Sequence, residues 1–154
     1  MRSLRYALVL TATAALPLAA QRPLTVTGIQ SITFGTLIPG LPTSVSRTDA
    51  ARSGRFDLGG PHDTQGEVTF TLPSVLTGPA GATLPLTFSG SDAGYSQSQN
   101  IGSQIGFDPK QPFLITFSGQ GRGSVFLGGT ALPAPTQRAG SYTGTITLNL
   151  AAFP

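Results

Sequence analysis

The chain has 154 residues, with 20 glycines, 13 prolines, one histidine and no cysteine, and only 10% of it is charged. That is one modest domain rather than two. It excludes disulfide scaffolds, cysteine metal sites and thiol nucleophiles, and a single Lys and a single Glu exclude a coiled coil. The formal charge of +3 includes Arg2 and Arg5. Without them it falls to about +1, which gives no argument for nucleic acid or anionic membrane surfaces as partners.

Met1 to Arg5 carries those two positive charges, Tyr6 to Leu16 is an uncharged apolar run, and Leu18-Ala19-Ala20 sets small residues before Gln21. This is the three-part plan of a secretory signal peptide, with cleavage expected after Ala20. The run is too short to cross a bilayer comfortably, and no other stretch reaches about eighteen apolar residues. Residues 1–20 are therefore expected to be a signal peptide. Residues 21–154 are expected to form a single exported domain with no transmembrane segment, in the periplasm, at the cell surface or outside the cell.

Past the leader the recurring signal is period two, with no amphipathic helix of any length. Short candidates run over 24–26, 29–37, 43–47 and 54–58. Val68, Phe70 and Leu72 then alternate with Glu67, Thr69 and Thr71. Leu84, Leu86 and Phe88 make a further apolar face, and Phe113, Ile115 and Phe117 another. After a candidate at 124–127 comes the longest run, in which Tyr142, Gly144, Ile146, Leu148 and Leu150 alternate with Thr143, Thr145, Thr147 and Asn149. Alternation of this kind puts one set of side chains inward and the other outward, as in half-buried antiparallel strands. Turn clusters separate the runs, among them Pro39-Gly40, Gly59-Gly60-Pro61, Gly78-Pro79 and Ala139-Gly140. Residues 89–111, rich in Ser, Gln and Gly, read as a polar surface loop. About seven to nine short strands with frequent turns spell an all-β sandwich or barrel. Phe34, Phe56, Phe70, Phe88 and Phe117 are the expected large core side chains.

Little here supports catalysis. The one histidine, His62, sits in the turn Gly59-Gly60-Pro61-His62-Asp63, and no G-x-S-x-G elbow exists. The carboxylates Asp49, Asp57, Asp63, Glu67, Asp92 and Asp108 are scattered, and no spacing singles out a hydrolytic pair. Neither a Ca²⁺ loop nor a His- or Cys-rich ligand set is present. Gly119-Gln120-Gly121-Arg122-Gly123 lacks the Lys-Ser/Thr and the strand-to-helix context of a phosphate cradle, and reads as a hairpin. Arg47, Arg52 and Arg55, with Asp49 and Asp57 interleaved, read as cross-paired strand surface. Tyr142, just after Gly140, reads as a residue whose hydroxyl caps the end of a sandwich, as tyrosine corners do. The expectation is a non-enzymatic protein with no catalytic residue, no cofactor, no metal and no nucleic-acid partner.

The C-terminal half carries a resemblance. Val125-Phe126-Leu127-Gly128-Gly129-Thr130-Ala131-Leu132 is followed by Gln137-Arg138-Ala139-Gly140-Ser141-Tyr142-Thr143-Gly144-Thr145 and then by an alternating strand that ends near Phe153. Near the start, Ile32-Thr33-Phe34-Gly35-Thr36-Leu37-Ile38-Pro39-Gly40 makes an FG-containing strand and turn. Together these resemble the secreted bacterial domains of the domain-of-unknown-function 4402 family. That family is similar to spore coat protein U and to the subunits of archaic chaperone–usher pili. The resemblance covers roughly residues 29–153.

It implies an immunoglobulin-like antiparallel β-sandwich that lacks one edge strand, in a pilus-like or coat assembly. A periplasmic chaperone and then a neighbouring subunit's N-terminal arm would supply the strand. On this reading the assembly edge is the strand over 141–150, with Tyr142, Ile146, Leu148, Leu150 and the nearby Phe153, and the donor arm carries Leu24 and Val26. The alternative is a complete, self-contained extracytoplasmic sandwich that binds carbohydrate or protein through its loops, above all 89–111, with Tyr95 as an exposed aromatic there.

Overall fold

The computed structural model describes residues 22–153. The signal peptide expected over residues 1–20 lies outside the described residues. Among the described residues the strands are β1 (Thr25–Gln30), β2 (Thr43–Val45), β3 (Gly54–Gly59), β4 (Gln65–Thr71), β5 (Val75–Thr77) and β6 (Thr83–Thr87). They continue with β7 (Ala93–Ser96), β8 (Ile105–Phe107), β9 (Phe113–Thr116), β10 (Arg122–Leu127), β11 (Gly129–Ala131) and β12 (Thr147–Ala152). A single 3₁₀ turn over Pro79–Gly81 is the one helical element among these residues. No helix among them is long and apolar enough to cross a membrane.

Every strand pairing is antiparallel, and three sheets result, in the orders β1-β3-β10-β7-β8, β2-β11-β6-β5 and β12-β4-β9. The chain is an all-β antiparallel sandwich, as the alternation implies. The five-stranded and three-stranded sheets enclose the larger core, in which Val68 of β4 meets Val125 and Leu127 of β10, with Ile115, Phe117 and Leu148 beside them. Aromatic rings extend it: Phe56 meets Phe70 edge-on at 5.9 Å, and Phe107 stacks on Phe113 at 4.2 Å. A smaller core lies under the four-stranded sheet, built from Phe34, Val45, Leu84, Leu86 and Ala131. Phe88 packs against both.

The strands are shorter and more numerous than the sequence suggests, for two local reasons. The candidate over 124–127 falls within β10, and after Gly128 the chain enters β11 of another sheet, a strand the alternation did not mark. Residues 89–111, which read as a loop, contain β7 and β8. These strands are held by the neighbouring ladder, Val125 opposite Tyr95 and Ala93 opposite Phe107, and they send Ala93, Tyr95 and Phe107 into the larger core. Tyr95 is therefore 3% exposed rather than a surface aromatic. Its hydroxyl donates to the Thr116 carbonyl at 2.7 Å, and burial pushes its pKa up to about 12.

Candidate functional site

Two stretches, 31–37 and 141–146, join no named strand, and the first turns at Gly35 and Thr36, where Gly35 takes φ of 72°. The first ends at a tight turn, where Leu41 N–H donates to the Ile38 carbonyl at 3.0 Å and Gly40 takes φ of 77°. Gly40 N–H then reaches the carbonyls of Pro133 and Ala134, both at 3.1 Å. The other end of this stretch lies beside Gly144 and Ile146. The two stretches are thus rails running in opposite directions along the two sides of a trough.

The trough has a volume of about 760 Å³. Leu76, Leu84 and Leu86 line it from the four-stranded sheet, and Ile32, Tyr142 and Ile146 line it from the rails. It continues into a second hollow of about 330 Å³ between the end of β1 and Ile146, lined also by Phe56 and Leu127. Backbone pairing along the rails is sparse. Among the described residues, the backbone bonds of 141–146 are the reciprocal pair between Thr143 and Thr77, at 2.8 and 2.9 Å. Those of 31–37 reduce to Thr33 N–H donating to the Arg52 carbonyl at 2.9 Å. Rows of backbone N–H and C=O groups beside an apolar trough are the chemistry of a sheet edge open to another strand.

Compared with protein-family models and with curated proteins, the chain matches none.

The residues expected to form the assembly edge fall in two groups. Leu148 and Leu150 belong to β12, where Leu148 opposes Phe70 and Leu150 opposes Val68, and Leu148 is buried. Tyr142 and Ile146 instead stand on the rail, half-buried. Phe153 lies just beyond β12 and is exposed. The strand expected over 141–150 accordingly starts only at Thr147 and runs to Ala152. Opposite its missing part stands Pro73, whose Cγ would be 3.5 Å from a Cβ at Gly144. Proline has no N–H to give a ladder, so pairing lapses there. The expected donor arm is in place within its own chain. Val26 opposes Leu58 in the β1–β3 ladder and stays exposed, while Leu24 packs against the larger core.

Tyr142 does cap an end of the structure. Its hydroxyl donates to the Arg138 carbonyl at 2.7 Å and accepts from Gln137 Nε2 at 2.6 Å. The same Gln137 amide donates to the Thr83 carbonyl at 3.1 Å, tying this rail to β6.

The residues weighed for chemistry are dispersed. His62 is exposed in its turn, and no group of three or more potential metal-ligating side chains forms among the described residues. Arg52 pairs with Asp49 at 2.7 Å and holds that carboxyl below the usual carboxylate range. Arg55 pairs with Asp57 at 2.8 Å, and the Ser124 hydroxyl donates to the same carboxylate at 2.6 Å. Arg47 departs from this pattern. Its guanidinium donates to the Ser91 carbonyl, and its Nε is buried without a partner.

Sequence reasoning missed the first rail as a groove wall. Leu84 and Leu86, read as an inward apolar strand face, are buried in the smaller core and border the trough. Period two announces a strand, but it carries no information on whether both edges of that strand are taken.

Proposed function

We propose that this protein is a non-enzymatic, exported structural subunit of a pilus-like or coat assembly, and that a β-strand from a periplasmic chaperone or a neighbouring subunit completes it. The observation that carries the reading is the apolar trough between the two sparsely paired rails, 31–37 and 141–146. A strand laid there would cover the half-buried Ile32, Leu37, Leu76 and Ile146 and give the rails further backbone partners. The resemblance to the domain-of-unknown-function 4402 family and the leader-like N-terminus support export to the periplasm, the cell surface or beyond. The alternative, ligand binding through the loops of a complete sandwich, loses its aromatic anchor, because Tyr95 is in the core.

The test is light scattering on residues 21–154, exported to a periplasm and purified, followed by an unheated detergent gel. Poor yield without a chaperone, aggregates, or a detergent-resistant ladder is the expected result. A clean monomer with cooperative unfolding and no uptake of any strand peptide would refute it.

A further inference from the structure

We infer that the turn over 38–42, with 133–135 packed beside it, is a lipid-inserting tip whose aliphatic side chains enter the interface of a phospholipid bilayer. The inference is independent of the assembly reading, because it needs no strand to enter the trough.

The sequence makes this end of the molecule neutral. No charged residue occurs over 31–46 or over 123–137. Ile38 and Leu41 are 61% and 53% exposed, two of the three most exposed large hydrophobic side chains among the described residues. Pro39, Pro42, Ala134 and Pro135 are exposed as well. The two segments touch: Gly40 N–H donates to the carbonyls of Pro133 and Ala134, and a Cβ at Gly40 would lie 3.5 Å from Pro135 Cα. The exposed apolar groups therefore form one patch rather than scattered positions.

The backbone under the patch is already satisfied. Four of the eight residues over 38–42 and 133–135 are prolines, which carry no N–H. Leu41 N–H donates to the Ile38 carbonyl at 3.0 Å, and Ala134 N–H donates to Gln137 Oε1 at 3.2 Å. With Gly40 bonded as above, Ile38 N–H is the one donor of the eight residues left without a partner among the described residues. Irregular backbone enters a medium of low polarity only when its donors are bonded within the protein, and this segment nearly meets that condition. Pro39 in the second place and Gly40 in the third, with φ of 77°, hold a type II turn. The shape is preformed, so insertion has little left to order.

A lipid surface matches this patch where a protein does not. Six small side chains cover roughly a few hundred Å², below the roughly 1,000 Å² that a specific contact between two copies needs. One open N–H is too few for a strand to pair with, and the patch offers no charge to an ionic partner. A bilayer interface demands no matching shape; it takes up apolar groups in proportion to the surface they expose.

The chain has no tryptophan, so Leu41→Trp puts the sole indole in the tip. Ile38→Trp serves if that variant fails to unfold cooperatively. Ile105→Trp is the comparison: Ile105 is 66% exposed, more than either tip residue, but stands on β8. Each full chain is mixed with vesicles of phosphatidylcholine alone and with vesicles that also contain phosphatidylglycerol. The readouts are indole emission, its quenching by lipids brominated along the acyl chains, and flotation with the vesicles.

Vesicles of either composition are expected to shift the Leu41→Trp emission to shorter wavelength, and brominated lipid to quench it. The Ile105→Trp chain floats with the vesicles while its indole stays unshifted and unquenched. Ile38→Ser with Leu41→Ser in that chain lowers its partitioning about twentyfold, and added salt leaves binding unchanged, as a neutral tip requires. Flotation that needs phosphatidylglycerol and is lost in salt would overturn the inference, since the arginines would then hold the membrane. So would equal quenching of the two indoles, which means adsorption without orientation. A Leu41→Trp shift that grows with protein concentration in the absence of vesicles would make the tip a contact between copies instead. No flotation with either vesicle would leave the tip without a lipid partner and end the proposal.

Discussion

Gly78→Ala isolates the packing that holds the second rail. Gly78 has φ of −124° and ψ of −162°, an extended conformation that alanine adopts freely. Backbone strain is therefore absent, and the substitution alone should stabilise by about 0.4–1 kcal/mol through the unfolded chain. Against this, the new Cβ would fall within 2.6 Å of Tyr142 Cδ1 and 2.7 Å of its Cζ. Overpacking of this kind costs about 1–3 kcal/mol. A displaced ring also weakens the hydroxyl's bonds to Arg138 and Gln137, each worth roughly 0.5–1.5 kcal/mol. The net expectation is a loss of about 2 kcal/mol, a fall in Tm of several degrees for a domain of this size. Urea unfolding of Gly78→Ala, Tyr142→Ala and the double variant closes a cycle. In the Tyr142→Ala background the clash is gone, so Gly78→Ala becomes neutral or stabilising there. The reasoning is refuted if Gly78→Ala costs the same in both backgrounds, or costs nothing in the native one.

Phe117→Ala, at a fully buried ring, is expected to cost about 3–5 kcal/mol in urea unfolding; a loss below 1 kcal/mol would remove Phe117 from the core. Tyr95 titrates higher folded than unfolded, so its contribution is complete below about pH 10 and disappears as pH rises towards 12. Stability measured across that window should fall in the native protein and stay flatter in Tyr95→Phe. Leu148→Asp buries an unpaired charge at a site 7% exposed and should abolish folding. Ile146 is half-buried, packed against the larger core and lining the trough, so Ile146→Asp should cost less stability than Leu148→Asp and lose strand uptake. Equal damage from the two would place Ile146 in the closed core.

Where a strand is half-buried, alternation alone located it. Val68, Leu84, Leu86, Ile115, Phe117 and Leu148 are all buried on the faces that period two assigns them. The same rule failed over 89–111, because β7 and β8 are short and rich in glycine and serine. Their extended form comes from pairing with β10 and with each other, a tertiary effect that overrides propensity. The rails illustrate a different gap. Residues 31–37 and 141–146 lie more than a hundred positions apart, and only the folded chain brings them to opposite sides of one trough. The lapse in β12 had a visible sign in Pro73, but reading it required knowing which run Pro73 faces.

The opposed directions of the two rails bear on how an assembly would acquire polarity. Whichever way an inserted strand points, it lies parallel to one rail and antiparallel to the other. Reversing it exchanges the two pairings, so main-chain bonding discriminates little between the orientations. Directionality then falls to features that differ between the ends of the trough. Arg138, with Gln137 and Tyr142, marks one end, and the bare Ile146–Phe56 hollow marks the other. A charge at one end of an otherwise neutral track works like the key on a plug: it contributes little to grip and decides which way round the partner goes in.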